Sequence, residues 1–130
     1  MVQIPESHID LLTRPVVVTL VTVMPDGQPQ ATPIWADYHD GVIRVNTEGG
    51  RQKYRNLHER PMATVLAIDP ENPYRWMEVR GKVVYESEGD ERSLIEKLSH
   101  DYVGTAYQSH SDADRRVTFH IQPERIVTAG

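Results

Sequence analysis

At 130 residues the chain suits one domain, since single cores cluster near ~100–150 residues. Hydrophobic residues at 38% and charged residues at 25% exclude a collagen-like or disordered chain, and no apolar run approaches the ~20 residues of a membrane-spanning helix. A net charge of -5 argues against broad nucleic-acid binding, which needs a basic surplus to displace counterions, and zero cysteines exclude disulfides, thiolate metal sites and a cysteine nucleophile.

Residues 1–10 lack the basic and apolar regions of a secretory signal, so the expected address is cytoplasmic. Residues 16–23, rich in β-branched side chains, predict a strand that ends in the turn Met24-Pro-Asp-Gly27. Residues 28–38 predict its hairpin partner, followed by Asp40-Gly41 and a third strand over 42–47, a meander. Pro29 and Pro33 lack an N–H, which places the middle strand at an edge. Gly49-Gly50 open a short helix from Arg51 to His58, with Tyr54 and Leu57 as its buried pair, and Pro61 ends it. Residues 62–68 read as a strand buried on both faces, and 69–73 as a turn. A long strand over 75–86 alternates with period two and carries Gly81 as a bulge. Asp90 is placed to cap a helix whose stripe is Leu94, Ile95, Leu98 and Tyr102, and Gly104 stops it. Residues 105–114 read as a mobile polar loop, followed by strands over 116–121 and 126–128. About seven strands and two or three short helices without βαβ alternation predict a mainly β (α+β) fold, an antiparallel barrel in one domain over 1–130.

Charge is uneven along the chain. From Arg44 to Arg60 five basic residues face two acidic ones, a local anion site inside an acidic protein. Arg51 and Lys53 fall in the first turn of the helix, where a cation opposes the helix dipole unless an anion also lies there. Thr47, Arg51 and Lys53 together suit a phosphate; the alternative is a solvated basic face. No Walker or Rossmann glycine pattern occurs. Among the six histidines none are paired at helical zinc spacing, and nothing fixes His100, Asp101, His110 and Asp112 as a metal site, so none is expected. No serine lies in a nucleophile elbow. Trp35 and Trp76 read as core or interface residues, or as walls for a planar ligand.

The run Asp26-Gly-Gln-Pro-Gln-Ala-Thr-Pro-Ile-Trp35, followed by Asp40-Gly41, Thr47, Arg51-Gln-Lys53, Arg55-Asn-Leu57 and Arg60-Pro61, resembles the split β-barrel flavin and deazaflavin oxidoreductases of the pyridoxamine-phosphate-oxidase-like superfamily. Within it the chain is similar to the small actinobacterial proteins that use the deazaflavin coenzyme F420. The resemblance implies a homodimer with two cofactor clefts between its barrels. It implies a phosphate held by Thr47, Arg51 and Lys53, and a ring beside the strand carrying Gln30, Ala31, Thr32, Pro33 and Trp35. Trp76 completes the expected cofactor-binding set, and its strand is the element expected to reach across the dimer. The Arg-x-x-x-Leu-Lys string of true pyridoxamine phosphate oxidases is missing.

The expected function is therefore an F420H2-dependent reductase that passes a hydride to an unsaturated small organic acceptor, with no nucleic-acid or membrane partner. Quinone-like compounds, tetrapyrroles and nitroaromatics are acceptors implied by the resemblance alone. The alternatives are an FMN-binding oxidoreductase of the same fold and a non-catalytic carrier of a cofactor or tetrapyrrole. In either enzyme the cofactor carries the chemistry, and no catalytic side chain is assigned.

Overall fold

The computed structural model describes residues 2–108 and 115–130. In chain order its elements are α1 (Asp10–Thr13), β1 (Val18–Val23), β2 (Pro29–Ile34), β3 (Ala36–His39), β4 (Val42–Glu48), α2 (Gln52–Glu59), β5 (Met62–Asp69), β6 (Asn72–Glu86), α3 (Ser93–Val103) and β7 (Arg116–Ala129). All strand pairings are antiparallel, and the seven strands form one sheet in the order β2-β1-β5-β6-β7-β4-β3. β2 and β3 lie at opposite edges of that sheet although only Trp35 separates them in sequence. The sheet therefore has to curl until its edges are one residue apart, which makes it the split barrel expected from the sequence.

The strands differ from the sequence reading most in two places; the long strand β6 also begins earlier, at Asn72, inside the stretch read as a turn. Residues 28–38 form two strands: β2 pairs with β1, and beyond Trp35 the chain leaves that partner so that β3 can pair with β4. The three-stranded meander is thus replaced by a crossing between edges, while Pro29 and Pro33 do lie on an edge strand. At the C-terminus, the two short strands are one. β7 passes through Pro123 because the β6–β7 register slips at Gly81. Only glycine fits there, since a Cβ on Gly81 would lie 2.3 Å from the Gln122 carbonyl oxygen. The tight turn before β4 uses Asp40 and Gly41, both at positive φ, the backbone that twists correctly for a two-residue hairpin.

Inward-facing residues of the curled sheet make the core. Leu20, Ile43, Val65, Met77, Phe119 and Ile121 are all essentially inaccessible, each contributing about 1.5–3 kcal/mol of burial. The short helix α1, which no sequence signal indicated, adds Leu11 and Leu12 to this cluster together with Ile4. On β5 the expectation of two buried faces is corrected. Burial alternates along the strand, with Met62 55% and Ile68 43% exposed, because this chain alone has no layer on the outer side.

The helix α3 packs its apolar stripe as expected, and at Gly104 the N–H bonds the carbonyls of Ser99 and His100. Its start differs. The Glu91 carboxylate accepts the Ser93 N–H at 2.7 Å, whereas Asp90 accepts the Arg116 N–H at 2.9 Å. Asp90 thereby ties the approach to α3 to the first residue of β7, beside the cleft described next.

Candidate functional site

Where β4 ends, the chain turns through Gly49 and Gly50 into α2, and a cleft of about 410 Å³ opens beside this junction. Neither glycine has a positive φ; at Gly49 the constraint is space, because a Cβ would come within 3.1 Å of the Arg115 guanidinium. Arg51 is the N-cap residue of α2 rather than part of its first turn, with extended backbone and no side-chain cap. One wall of the cleft is apolar, formed by residues such as Ile34, Trp35, Ile95 and Leu98, and the other end is polar.

At the polar end Lys53 is half buried and its Nζ donates to Thr32 Oγ1 at 3.2 Å. Burial first, then the charges of Arg51 and Arg116, push the Lys53 pKa below its ordinary value. Arg116 arrives from β7 and is 5% exposed. Its Nε donates to Asn46 Oδ1 at 2.7 Å, and its guanidinium lies 5.3 Å from the centre of the Tyr107 ring. Thr47 is buried, and among the described residues its Oγ1 has no hydrogen-bond partner. A buried polar atom without a partner is costly, and Thr47 lines the same cleft as Arg51, Lys53 and Arg116.

Trp35, at the crossing between sheet edges, stacks on Tyr102 of α3 with ring centres 5.4 Å apart. The Tyr102 hydroxyl donates to the Val16 carbonyl at 2.8 Å and accepts the Ala36 N–H at 3.2 Å. These bonds hold the indole and the β2–β3 crossing against the helix, and with them the flat wall of the cleft. Burial pushes the Tyr102 pKa up, in keeping with a hydroxyl that serves as a structural tie.

The cleft brings together Pro33, Trp35, Thr47, Arg51 and Lys53, with Thr32 at its edge through Lys53. Ala31 lies on the exposed side of β2. The Gln30 side chain accepts bonds from Thr22 and from Asn56, a fully buried residue of α2, and so belongs to the support beneath the helix. Trp76 is elsewhere in this chain, on the outer sheet face, where Leu66, Ile68, Glu78, Arg80 and Val127 flank it around a groove of about 520 Å³. The sequence reading missed Glu48, Arg116 and Tyr107 as cleft residues. Arg116 could have been suspected as a cation opening an apolar strand, but its partner Asn46 is 70 residues away. His100 and Asp101 lie on α3, and His110 and Asp112 fall outside the described residues, as does most of the loop read as mobile.

The cleft thus joins an apolar wall, with Ile34, Trp35, Ile95 and Leu98, to a polar end with Thr47, Arg51, Lys53 and Arg116. Among the described residues no helix is long and apolar enough to cross a membrane. The family model for pyridoxamine 5'-phosphate oxidase matches residues 4–129. A solved F420 reductase is 35% identical over 95% of this chain and 98% of its own, with a TM-score of 0.87. A conserved hypothetical protein from Mycobacterium tuberculosis is 24% identical over 99% and 86%, with a TM-score of 0.75. HutZ, the heme storage protein from Vibrio cholerae, is 15% identical over 99% and 96%, with a TM-score of 0.70. The last two share the fold. No curated protein matches the chain.

Proposed function

The chain belongs to the pyridoxamine 5'-phosphate oxidase family, and from that premise we propose that it is a reductase that binds reduced coenzyme F420 in the Trp35–Lys53 cleft and reduces an unsaturated small organic acceptor. The observation that carries this reading is the buried Thr47 hydroxyl, without a partner among the described residues, in one cleft with the half-buried Lys53 and the Arg51 guanidinium, a donor set that fits a phosphate. The similarity to an F420 reductase at 35% identity favours deazaflavin over flavin. When bound, the reduced deazaflavin supplies the hydride. The residues of this chain bind and orient: Thr47, Arg51 and Lys53 hold the phosphate, and Trp35, braced by Tyr102, forms a wall for the ring. The apolar side around Ile34, Ile95 and Leu98 excludes water from the ring's neighbourhood.

A titration following F420 fluorescence tests the reading directly. Micromolar binding of F420 and weaker binding of FMN is the expected result. Millimolar F420 binding with micromolar FMN would instead make this an FMN oxidoreductase, and tight binding without turnover across a broad acceptor panel would make it a carrier.

The active form in this reading is a homodimer. Leu66, Ile68, Trp76 and Val127 present an apolar outer face, and a two-fold interface on it would give an outer layer to the exposed side of β5. Sedimentation at micromolar concentration should give a dimer; a monomer of undiminished cofactor affinity would remove the shared cleft.

A further inference from the structure

Glu48 is the last residue of β4 and lies at the polar end of the cleft with its side chain 26% exposed. Its two carboxylate oxygens face different guanidiniums, Oε2 at 3.5 Å from Arg51 Nε and Oε1 at 3.4 Å from Arg116 Nη1. Both contacts are long beside the Arg44–Asp37 pair at 2.6 Å, and on the Arg51 side, where the guanidinium side chain is 55% exposed, such a pair contributes little stability. The effect that remains is on the field of the cleft. Arg51, Lys53 and Arg116 supply three cations there, and Glu48 is the carboxylate placed among them.

A fixed negative charge acts on a ligand in proportion to the ligand's own charge. A phosphate monoester such as that of FMN carries about 1.5 to 2 negative charges near neutral pH, whereas a phosphodiester, the form in which coenzyme F420 carries its phosphate, has one. Glu48 therefore penalises the monoester up to twice as heavily in free energy. Thr47 sharpens the point, because a neutral hydroxyl donor serves either ester equally and leaves discrimination to the charges.

We propose that Glu48 is a specificity residue of the phosphate subsite, a built-in carboxylate that tunes the cleft to a singly charged phosphodiester and against a doubly charged phosphate monoester. This rests on the reading that the cleft takes a flavin or deazaflavin phosphate, and the experiment separates the two. Dissociation constants are measured by fluorescence for F420, FMN and the methyl phosphodiester of FMN, which differs from FMN only in charge and a methyl group. Wild-type protein is compared with Glu48→Gln and Glu48→Asp, with a melting curve for each variant as a check on folding.

Coulomb's law at the dielectric constant of water gives a factor of about three for two unit charges ~6 Å apart. Glu48→Gln should accordingly tighten the FMN methyl ester about three-fold and FMN about ten-fold, while Glu48→Asp, which keeps the charge, stays close to wild type. Equal changes for monoester and diester, or none, would overturn the role of Glu48 while leaving the cofactor site intact. If none of the three compounds binds wild-type protein, the cofactor reading fails and takes this inference with it.

Discussion

Two charged regions of this barrel are built on opposite principles. At the end closed by α1, Arg75 donates to both Asp10 and Asp69 and to the Ser7 carbonyl, and Arg14 reaches Asp10 and Glu71. There the cations meet carboxylates, and the contacts fasten the N-terminal segment onto the β5–β6 hairpin. At the cleft the balance is reversed. Three cations share the space with Glu48, held at loose distances, and among the described residues the Thr47 hydroxyl has no partner. The first region uses its charges to hold the fold; the second gathers cations at a cleft, where the proposed function places an anionic ligand.

Changing Lys53 should break the contrast most visibly. Lys53→Met is expected to weaken cofactor binding by ~1–3 kcal/mol, the range for a charge-assisted hydrogen bond, which a titration reads as roughly five- to 150-fold. The same change should leave the unfolding midpoint unchanged or raised, since it removes a half-buried cation repelled by two arginines. Arg51→Ala should follow with a smaller loss, its side chain being 55% exposed. At the closed end Arg75→Met should do the reverse, lowering the midpoint and leaving cofactor affinity unaltered. A variant at either end that moved both readouts together would show that the two regions are coupled.

What the sequence conveyed follows the same divide between local and distant causes. The turns at Met24–Gly27 and Asp40–Gly41, the stop at Gly104 and the bulge at Gly81 were legible because the backbone demands them locally. Thr47, Arg51 and Lys53, the residues proposed to hold a phosphate, were grouped for a like reason, lying within one strand-to-helix junction. The switch of partner at Trp35 was not, since no residue there marks a break and the cause is the curl of the whole sheet. Arg116 and Asn56 were missed because their roles come from partners far along the chain: Asn46 for Arg116, and Thr22 and Gln30 for Asn56. Such contacts leave no periodic signature in a single sequence.

Acid and alkaline titrations should divide between the two regions. The Asp10 carboxyl is held low by Arg75, and the Asp69 carboxyl by the Glu71 N–H and then Arg75, both below the ordinary 3.8. A depressed carboxylate contributes stability that is present above its unfolded pKa and lost as pH falls through the folded one. The advantage of wild type over Arg75→Met should thus hold at neutral pH, begin to fall near pH ~4 and vanish only below the depressed folded values. Lys53 gives the opposite limb. Its pKa is depressed from 10.5, so the folded state holds fewer protons than the unfolded in the interval beneath that value, and stability rises there with pH. Affinity for an anion falls over the same interval as the cation is lost, a limb absent from Lys53→Met. An affinity profile flat up to pH 10.5 would place Lys53 outside the anion's reach.

The smallest effect is also the most selective. Thr47→Val replaces the buried hydroxyl by a methyl group of nearly the same volume, and Thr47 Oγ1 has no partner among the described residues to lose. If that hydroxyl is held in reserve for a phosphate, its removal should leave stability unchanged or raise it by up to ~1 kcal/mol, because an unpaired polar atom is taken out of the interior. Binding should move the other way, by ~0.5–1.5 kcal/mol, the net worth of one hydrogen bond. Opposite signs in melting temperature and cofactor affinity are the signature to look for, since a residue whose role was packing would move both the same way. A loss of stability with unchanged affinity would return Thr47 to the core of β4 and leave Lys53 and Arg51 as the only phosphate donors of the three.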